Sequence, residues 1–379
     1  ALFGREMEID ASKVDWQRVL AEANRHVLTA FLYPGLKRLN GVPEEILSRA
    51  RNAAMLSAAR MEESLRAQDG VLELMRSRGI PCAVLKGFSA ACRYPHPELR
   101  VPGDIDILVL PSHLSAACAE MEGVGFKKEL SLEKHECLSR ANTWVEVHQM
   151  VTAFPESEKG NYAREFMNGA LSHTQDMEIQ GIRFPILDGI YQMIGLLAHK
   201  EQHLATSGIG LRQICDWAVT MHALREQIGE KEIATLERCG LLHFAKVVTR
   251  LCEKYLGLPP CLWYQNAMDD QVDALMEDIM SAGNFHEQYG KRPFTGVLTD
   301  AYGSGKSSVL RNYFRYIRKR IDQDYSWAKN PLWIPAFGLF FPMRYCVRVL
   351  IGKRKKINVS QAVHTAQRRE KMLRSLKLY

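Results

Sequence analysis

From residue 12 to residue 78 apolar side chains recur three and four positions apart. Val14, Val19, Leu20 and Ala23 form one such row, and Leu47, Ala50, Ala54 and Leu56 another, with breaks at 41–43 and 79–81, where glycine and proline stand together. The period predicts a helical region over 1–79. From residue 80 it changes. CAVLKG (82–87) is a short buried strand ending at Gly87, FSAACRYP a short helix stopped by Pro95, VPGDIDILVL (101–110) a second strand, and HLSAACAEMEGVG a helix. FKKELSL, HECLSRA and TWVEVHQM add three more strands, so 80–152 reads as a small mixed-sheet core. Beyond about 160 the helical period returns in LDGIYQMIGLLAHKEQHL, GLRQICDWAVTMHALREQI and three further stretches. The predicted fold class is α+β: a sheet core (80–152) between an N-terminal helical cap (1–79) and a helical region (153–300), followed by a basic and aromatic segment (301–379).

The second strand carries a conflict. Residues two apart on a strand share a face, so Ile105, Ile107 and Val109 point one way while Asp104 and Asp106 point together the other way. Two carboxylates that close raise one another's pKa unless a cation lies between them. A divalent metal resolves this, and phosphate-transferring sites usually add another acid. In WVEVHQ (144–149), Glu146 lies on a strand with the same alternation. If that strand lies beside the first with polar faces aligned, Glu146 completes a three-carboxylate cluster. The alternative is an exposed edge with solvated acids. Upstream, LKGFSA places Gly87 between a strand and a helix, where free backbone N–H groups suit a phosphate chain. Ser89 offers a hydroxyl there, and Lys86 or Arg100 a positive charge.

Strand, K-G-F-S, helix, then R-x-x-G-D-I-D-I-L-V and later V-E-V-H together resemble the polymerase beta-like nucleotidyltransferase superfamily, and specifically a bacterial branch of uncharacterised nucleotidyltransferases. The strict motif spans 85–148 and a looser likeness 10–220, including the N-terminal helices and a later H-x-x-x-H. The resemblance implies that Asp104 and Asp106 bind two Mg²⁺ ions, that Glu146 is the third carboxylate and assists deprotonation of the acceptor, and that Gly87 and Ser89 hold the phosphates of an NTP, ATP among them. It implies in-line attack of an acceptor hydroxyl on the α-phosphate. In this chain the usual Gly-Ser pair is spread into Gly-Phe-Ser.

The rest of the composition narrows the setting. With 379 residues, 46% hydrophobic and 25% charged, the chain is globular. Nine scattered cysteines without CxxC spacing read as free thiols in a reducing cytoplasm, and ALFGREMEIDASKVDWQ lacks the profile of a secretory signal. The longest uncharged apolar run, IPAFGLFFPM (334–343), is too short to span a bilayer. Residues 306–379 hold 18 Lys or Arg against three acids, net +15, which leaves net −8 upstream. A basic tail with interleaved aromatics suits RNA or an anionic membrane surface, or caps the acidic remainder of the chain. A module that keeps the fold and binds nucleotide, RNA or membrane without catalysis is the rival reading, as is a transferase that modifies tRNA or protein as a toxin or regulator. GSGKSSV near 305 is no phosphate loop, because Asp300 stands where that motif needs glycine. His199 and His203 share a helical face, but Lys200 rather than glutamate follows the first, so HExxH fails. The pair reads as lining the cleft or as satisfied core histidines.

Overall fold

Three helices precede the sheet: α1 (Trp16–Arg25), whose N-cap Asp15 accepts a hydrogen bond from the Arg18 N–H, α2 (Thr29–Leu36) and α3 (Glu44–Ser77). Pro43, Glu44 and Glu45 open α3 at the end where its dipole favours negative charge. Ile46, Ala50, Ala54, Ser57, Met61, Leu65 and Leu72 form its buried stripe, at the spacing of one helix face. The computed structural model describes residues 2–4, 9–131, 134–206, 208–264, 269–282, 330–351 and 359–378, with scattered positions from 314 to 328.

Next come β1 (Cys82–Val84), α4 (Lys86–Ala91), β2 (Ile105–Val109), α5 (Leu114–Gly123), β3 (Lys127–Ser131), β4 (His135–Arg140) and β5 (Thr143–His148). After α6 (Glu158–Met167), a hairpin of β6 (Thr174–Ile179) and β7 (Ile182–Leu187) returns to the sheet. The seven strands lie in the order β3-β4-β5-β2-β1-β7-β6, with β2 parallel to β5, β1 parallel to β7 and the other neighbours antiparallel. The class is α+β with a mixed sheet, as predicted. The sheet nevertheless extends past residue 152, because the hydrophobic pattern gave no strand for β6 or β7. Their turn, Gln180-Gly181, has both residues at positive φ (52° and 81°), the signature of a tight two-residue hairpin.

Each sheet face buries its own core. Ile105, Ile107, Val109, Val145 and Val147 pack against Met61, Leu65 and Met75 of α3 and Ala117 and Met121 of α5. Ala83, Leu85 and Leu108 face a larger cluster built from α7 (Gly189–Thr206), α8 (Leu211–Leu224), α9 (Glu230–Arg238), α10 (Leu242–Leu251) and α11 (Asp269–Ala282). Trp217 and Phe244 are fully buried there, and such side chains contribute about 1.5–3 kcal/mol each. β2 is buried along its whole length, so Asp106 is a carboxylate inside a two-sided core strand.

The tail divides in two. In α12 (Trp333–Leu350), Phe337 packs on Ile317, Ile321 and Ala328, while Leu339, Met343, Val347 and Leu350 are exposed. α13 (Val359–Ser375) joins the main core through Met372 and Leu373. Its buried Arg369 pairs with Asp278 of α11 at 3.5 Å and donates to the Leu204 carbonyl at 2.6 Å, and Arg368 pairs with Glu277. Part of the basic tail therefore caps acidic positions of its own chain. Among the described residues no helix is long and apolar enough to cross a membrane. The GSGKSSV stretch lies outside the described residues. Eight described cysteines are free thiols.

Candidate active site

The register of β2 on β5 places Asp106 directly beside Glu146, and Leu108 beside His148. Side chains paired this way emerge on one face, the face toward α7. The antiparallel hairpin β4–β5, turning at Ala141-Asn142, sets His135 opposite His148 and Cys137 opposite Glu146. Four strand positions thus deliver two carboxylates and two imidazoles to one spot.

Lys86 completes the cluster from the other side. The Leu85 N–H donates to the Asp106 carbonyl at 2.9 Å, carrying β1 alongside β2 up to the residue before Lys86. Lys86 then adopts φ +48°, a left-handed conformation costly for a residue with a Cβ. Its ammonium donates to Asp106 Oδ1 at 2.6 Å and Glu146 Oε2 at 3.1 Å, and lies 3.3 Å from His148 Nε2. His148 is fully buried, with Nε2 at 2.8 Å from Asp106 Oδ1 and 3.0 Å from Glu146 Oε2. His135 Nε2 stands 3.5 Å from Glu146 Oε1, its ring 4.6 Å from that of His148. Among the described residues neither Nδ1 has a hydrogen-bond partner.

The electrostatics follow from this crowding. Burial works to raise the Glu146 pKa, but the hydrogen bond from His148 and the charge of Lys86 hold it well below the usual carboxylate range. Burial alone would lower the Lys86 pKa; Asp106 and Glu146 outweigh it and raise it. Burial pushes His135 down to about 4. Asp104, just before β2, is exposed in part, and its pKa is raised first by desolvation and then by the charges of Asp106 and Glu146. Among the described residues no hydrogen bond ties it to the trio. Asp104 instead lines a groove of about 390 Å³ with Arg60, Glu63, Ser64, Gly103 and the half-exposed Trp144.

The glycine loop is organised differently from its sequence expectation. Ser89 is buried and its hydroxyl donates to the Lys86 carbonyl at 2.8 Å, closing the first turn of α4. Arg100 is committed elsewhere. It forms a two-pronged pair with Asp216 of α8, Nε to Oδ1 and Nη2 to Oδ2, both at 2.9 Å, and Tyr94 donates to the same carboxylate at 2.7 Å. A Cβ on Gly87 would stand 3.2 Å from Arg100 Nη1, so glycine at 87 admits this guanidinium. Of the residues the sequence brought forward, Asp106, Glu146 and Lys86 meet in one cluster, Asp104 flanks it, and Gly87, Ser89 and Arg100 build the wall behind it.

α7 closes the remaining side. His199 and His203 stack edge to face at 4.3 Å, and burial lowers both pKa values, that of His203 to about 4. Both feel the charge of Lys86, and His203 also those of Glu146 and Asp106. The helix therefore flanks the cluster. Sequence reasoning missed His135. Its signal was the two-residue turn after HECLSR, which fixes the hairpin register and pairs 135 with 148.

No curated protein matches the chain. Among the matching solved structures is the solution structure of the antibiotic-resistance factor ANT(2'')-Ia, 11% identical, with a TM-score of 0.25 over 52% of this chain and 94% of that one. The model of a family of uncharacterised nucleotidyltransferases matches residues 12–257. That span covers α1 to α10 and every strand of the sheet, the cluster included. The chain belongs to this nucleotidyltransferase family and is a transferase of nucleotides.

Proposed function

We propose that the chain moves a nucleoside monophosphate from an NTP to an acceptor hydroxyl at the Asp104, Asp106 and Glu146 carboxylates. One observation carries the reading: Asp106 and Glu146 sit in register on neighbouring parallel strands with a lysine ammonium held between them. A buried carboxylate and a partly buried one that already share a cation have the donor chemistry a divalent ion requires. Asp106 and Glu146 would hold the ion, with Asp104 contributing from the groove side. When bound, such an ion, Mg²⁺ in the simplest case and two ions in the fullest, offsets triphosphate charge and lowers the pKa of the attacking hydroxyl.

The chain's own groups do the rest. Lys86, whose ammonium now contacts both carboxylates, would bind the phosphates as a point charge. Gly87 lets the loop lie close over Arg100, which with Asp216 keeps the floor rigid. The groove beside Asp104 has the volume of a small-ligand site, and Trp144 at its rim offers a face for a base. Glu146 would assist deprotonation of the acceptor hydroxyl once Lys86, whose charge lowers its basicity, has moved to the phosphates. Eight free thiols support a reducing, cytoplasmic setting. The net charge of +15 in the C-terminal segment supports an anionic partner, and the exposed apolar row of α12 favours an anionic lipid surface over RNA.

Incubation with each labelled NTP and Mg²⁺ or Mn²⁺ tests the reaction. Pyrophosphate release or label transfer by the wild type, absent from Asp104→Ala/Asp106→Ala, is the expected result. Nucleotide binding without turnover in both proteins would overturn it in favour of a binding module. Leu339→Glu/Met343→Glu tests the tail: loss of binding to anionic vesicles is expected, whereas unchanged vesicle binding or retained RNA binding alone removes the lipid assignment.

A further inference from the structure

The nucleotidyl-transfer reading needs only oxygen ligands, yet the cluster also presents nitrogen. His148 Nε2, Asp106 Oδ1 and Glu146 Oε2 form a triangle with edges of 2.8 and 3.0 Å from the nitrogen. Donor atoms each about 2.1 Å from one ion in octahedral geometry lie about 3 Å apart, so this is the size of one face of a coordination shell. His135, Glu146 and His148 each offer a ligand atom, all within 4.8 Å of one another. The pocket already accepts positive charge, since the Lys86 ammonium contacts the same carboxylate oxygens and lies 3.3 Å from the same nitrogen. A lysine cannot exploit a second imidazole that sits beyond Glu146, and among the described residues neither ring has a partner at Nδ1. These two histidines are otherwise unexplained at the centre of an acidic site.

We propose that Glu146, His135 and His148, with Asp106 alongside, form a cation site that selects a first-row transition ion over Mg²⁺. Mg²⁺ takes oxygen ligands and keeps its waters, whereas imidazole nitrogen favours the series from Mn²⁺ to Zn²⁺. Two imidazoles with a carboxylate are a frequent zinc donor set. Glu146 then belongs to two sites at once: the oxygen-rich side toward Asp104, where the triphosphate's ion binds, and a nitrogen-rich side toward β4. Occupation of the second side requires the Lys86 ammonium to leave, which couples ion binding to delivery of Lys86 to the phosphates. The inference rests on the proposed reaction only for that coupling; the site itself stands on the donor geometry.

The test uses the full chain stripped of metal and titrated with Co²⁺, read by visible absorption and calorimetry, in the presence and absence of excess Mg²⁺. One Co²⁺ per chain with a spectrum of nitrogen ligation, resistant to Mg²⁺, is expected. His135→Ala and His148→Asn should each weaken Co²⁺ binding at least about 10-fold while changing Mg²⁺ binding less. Circular dichroism confirms that each variant is folded, and His148→Asn retains a hydrogen-bond donor toward the carboxylates in case the alanine variant does not fold. Equal Co²⁺ affinity in the variants, an oxygen-only spectrum, or ready displacement by Mg²⁺ overturns the site. If label transfer persists while Co²⁺ shows no nitrogen ligation, this inference fails and the reaction stands. If Co²⁺ binds with nitrogen ligation while no NTP is turned over, the reaction fails and the site stands.

Discussion

Two clusters of buried charge lie behind the same loop, and they differ in what is left over. Around Asp216, each carboxylate oxygen accepts from Arg100, Tyr94 adds a third donor, and the remaining guanidinium nitrogen reaches the Val101 carbonyl at 3.3 Å. Arg100 and Asp216 are 6% and 5% exposed. Around Asp106 the charges are just as close, but two imidazole Nδ1 atoms are unsatisfied, the lysine backbone is strained at φ +48°, and Asp104 opens onto a groove. A saturated ion pair joins two elements, here the loop before β2 and α8. An unsaturated one beside a strained backbone is where functional sites concentrate.

Substitutions can break this contrast. Asp106→Asn keeps the shape and removes the charge, so label transfer should fall by about 10³-fold or more, some 4 kcal/mol of transition-state stabilisation, with the folded state retained. A variant that transfers label at the wild-type rate would place the chemistry elsewhere. Arg100→Ala acts on the other cluster. It leaves Asp216 buried without its partner, and urea denaturation should register a loss of about 3–5 kcal/mol. If it instead abolished turnover with stability unchanged, Arg100 would return to the phosphate role that its place in R-x-x-G-D suggested.

The pairing of Arg100 with Asp216 shows how far the sequence reaches. The meeting of Asp106 and Glu146 was legible because strand alternation is a local rule, and the observed register of 106 with 146 is the alignment that a shared carboxylate face required; Asp104 lies just before the strand, where alternation does not fix its direction. The sheet's outer hairpin was not legible. In TQDMEIQGIRFPIL, polar residues alternate on an exposed edge, so the hydrophobic signal is thin and only the Gln-Gly turn marks it. Arg100 and Asp216 are separated by 116 positions, and no periodicity links a loop arginine to one helical aspartate among many. Sequence reveals which groups are charged; whether a charge is already spent depends on tertiary neighbours.

A milder test of the saturated cluster is Lys200, which is 2% exposed and lies within electrostatic range of Asp216 without a hydrogen bond to it. Burial lowers its pKa from 10.5 to about 8. A base with a depressed folded pKa costs stability wherever both states are protonated, and that cost disappears as pH rises from about 8 through 10.5. Lys200→Met should therefore be more stable than wild type at pH 7, by up to about 3 kcal/mol, with the advantage vanishing by about pH 10.5. Comparing the two proteins at each pH cancels the opposing titration of the buried thiols. A difference independent of pH would mean that Lys200 keeps its ordinary pKa in the fold because its ammonium reaches solvent.

The smallest expected effect bears on the seam between the clusters. In Gly87→Ala the new methyl would meet Arg100 Nη1 at 3.2 Å, a few tenths of an ångström too close. The guanidinium is pinned by Asp216 and cannot retreat freely, so the loop must yield instead, carrying Lys86 with it. A stability loss of about 1–2 kcal/mol is expected, typical of mild overpacking, together with a rise in KM for NTP larger than the fall in kcat. Combining Gly87→Ala with Arg100→Ala separates the causes. If the clash with Arg100 is the whole effect, removing the guanidinium makes the methyl neutral and the two losses fall short of additive. Additive losses would show that the loop needs glycine for a reason of its own, at the phosphates.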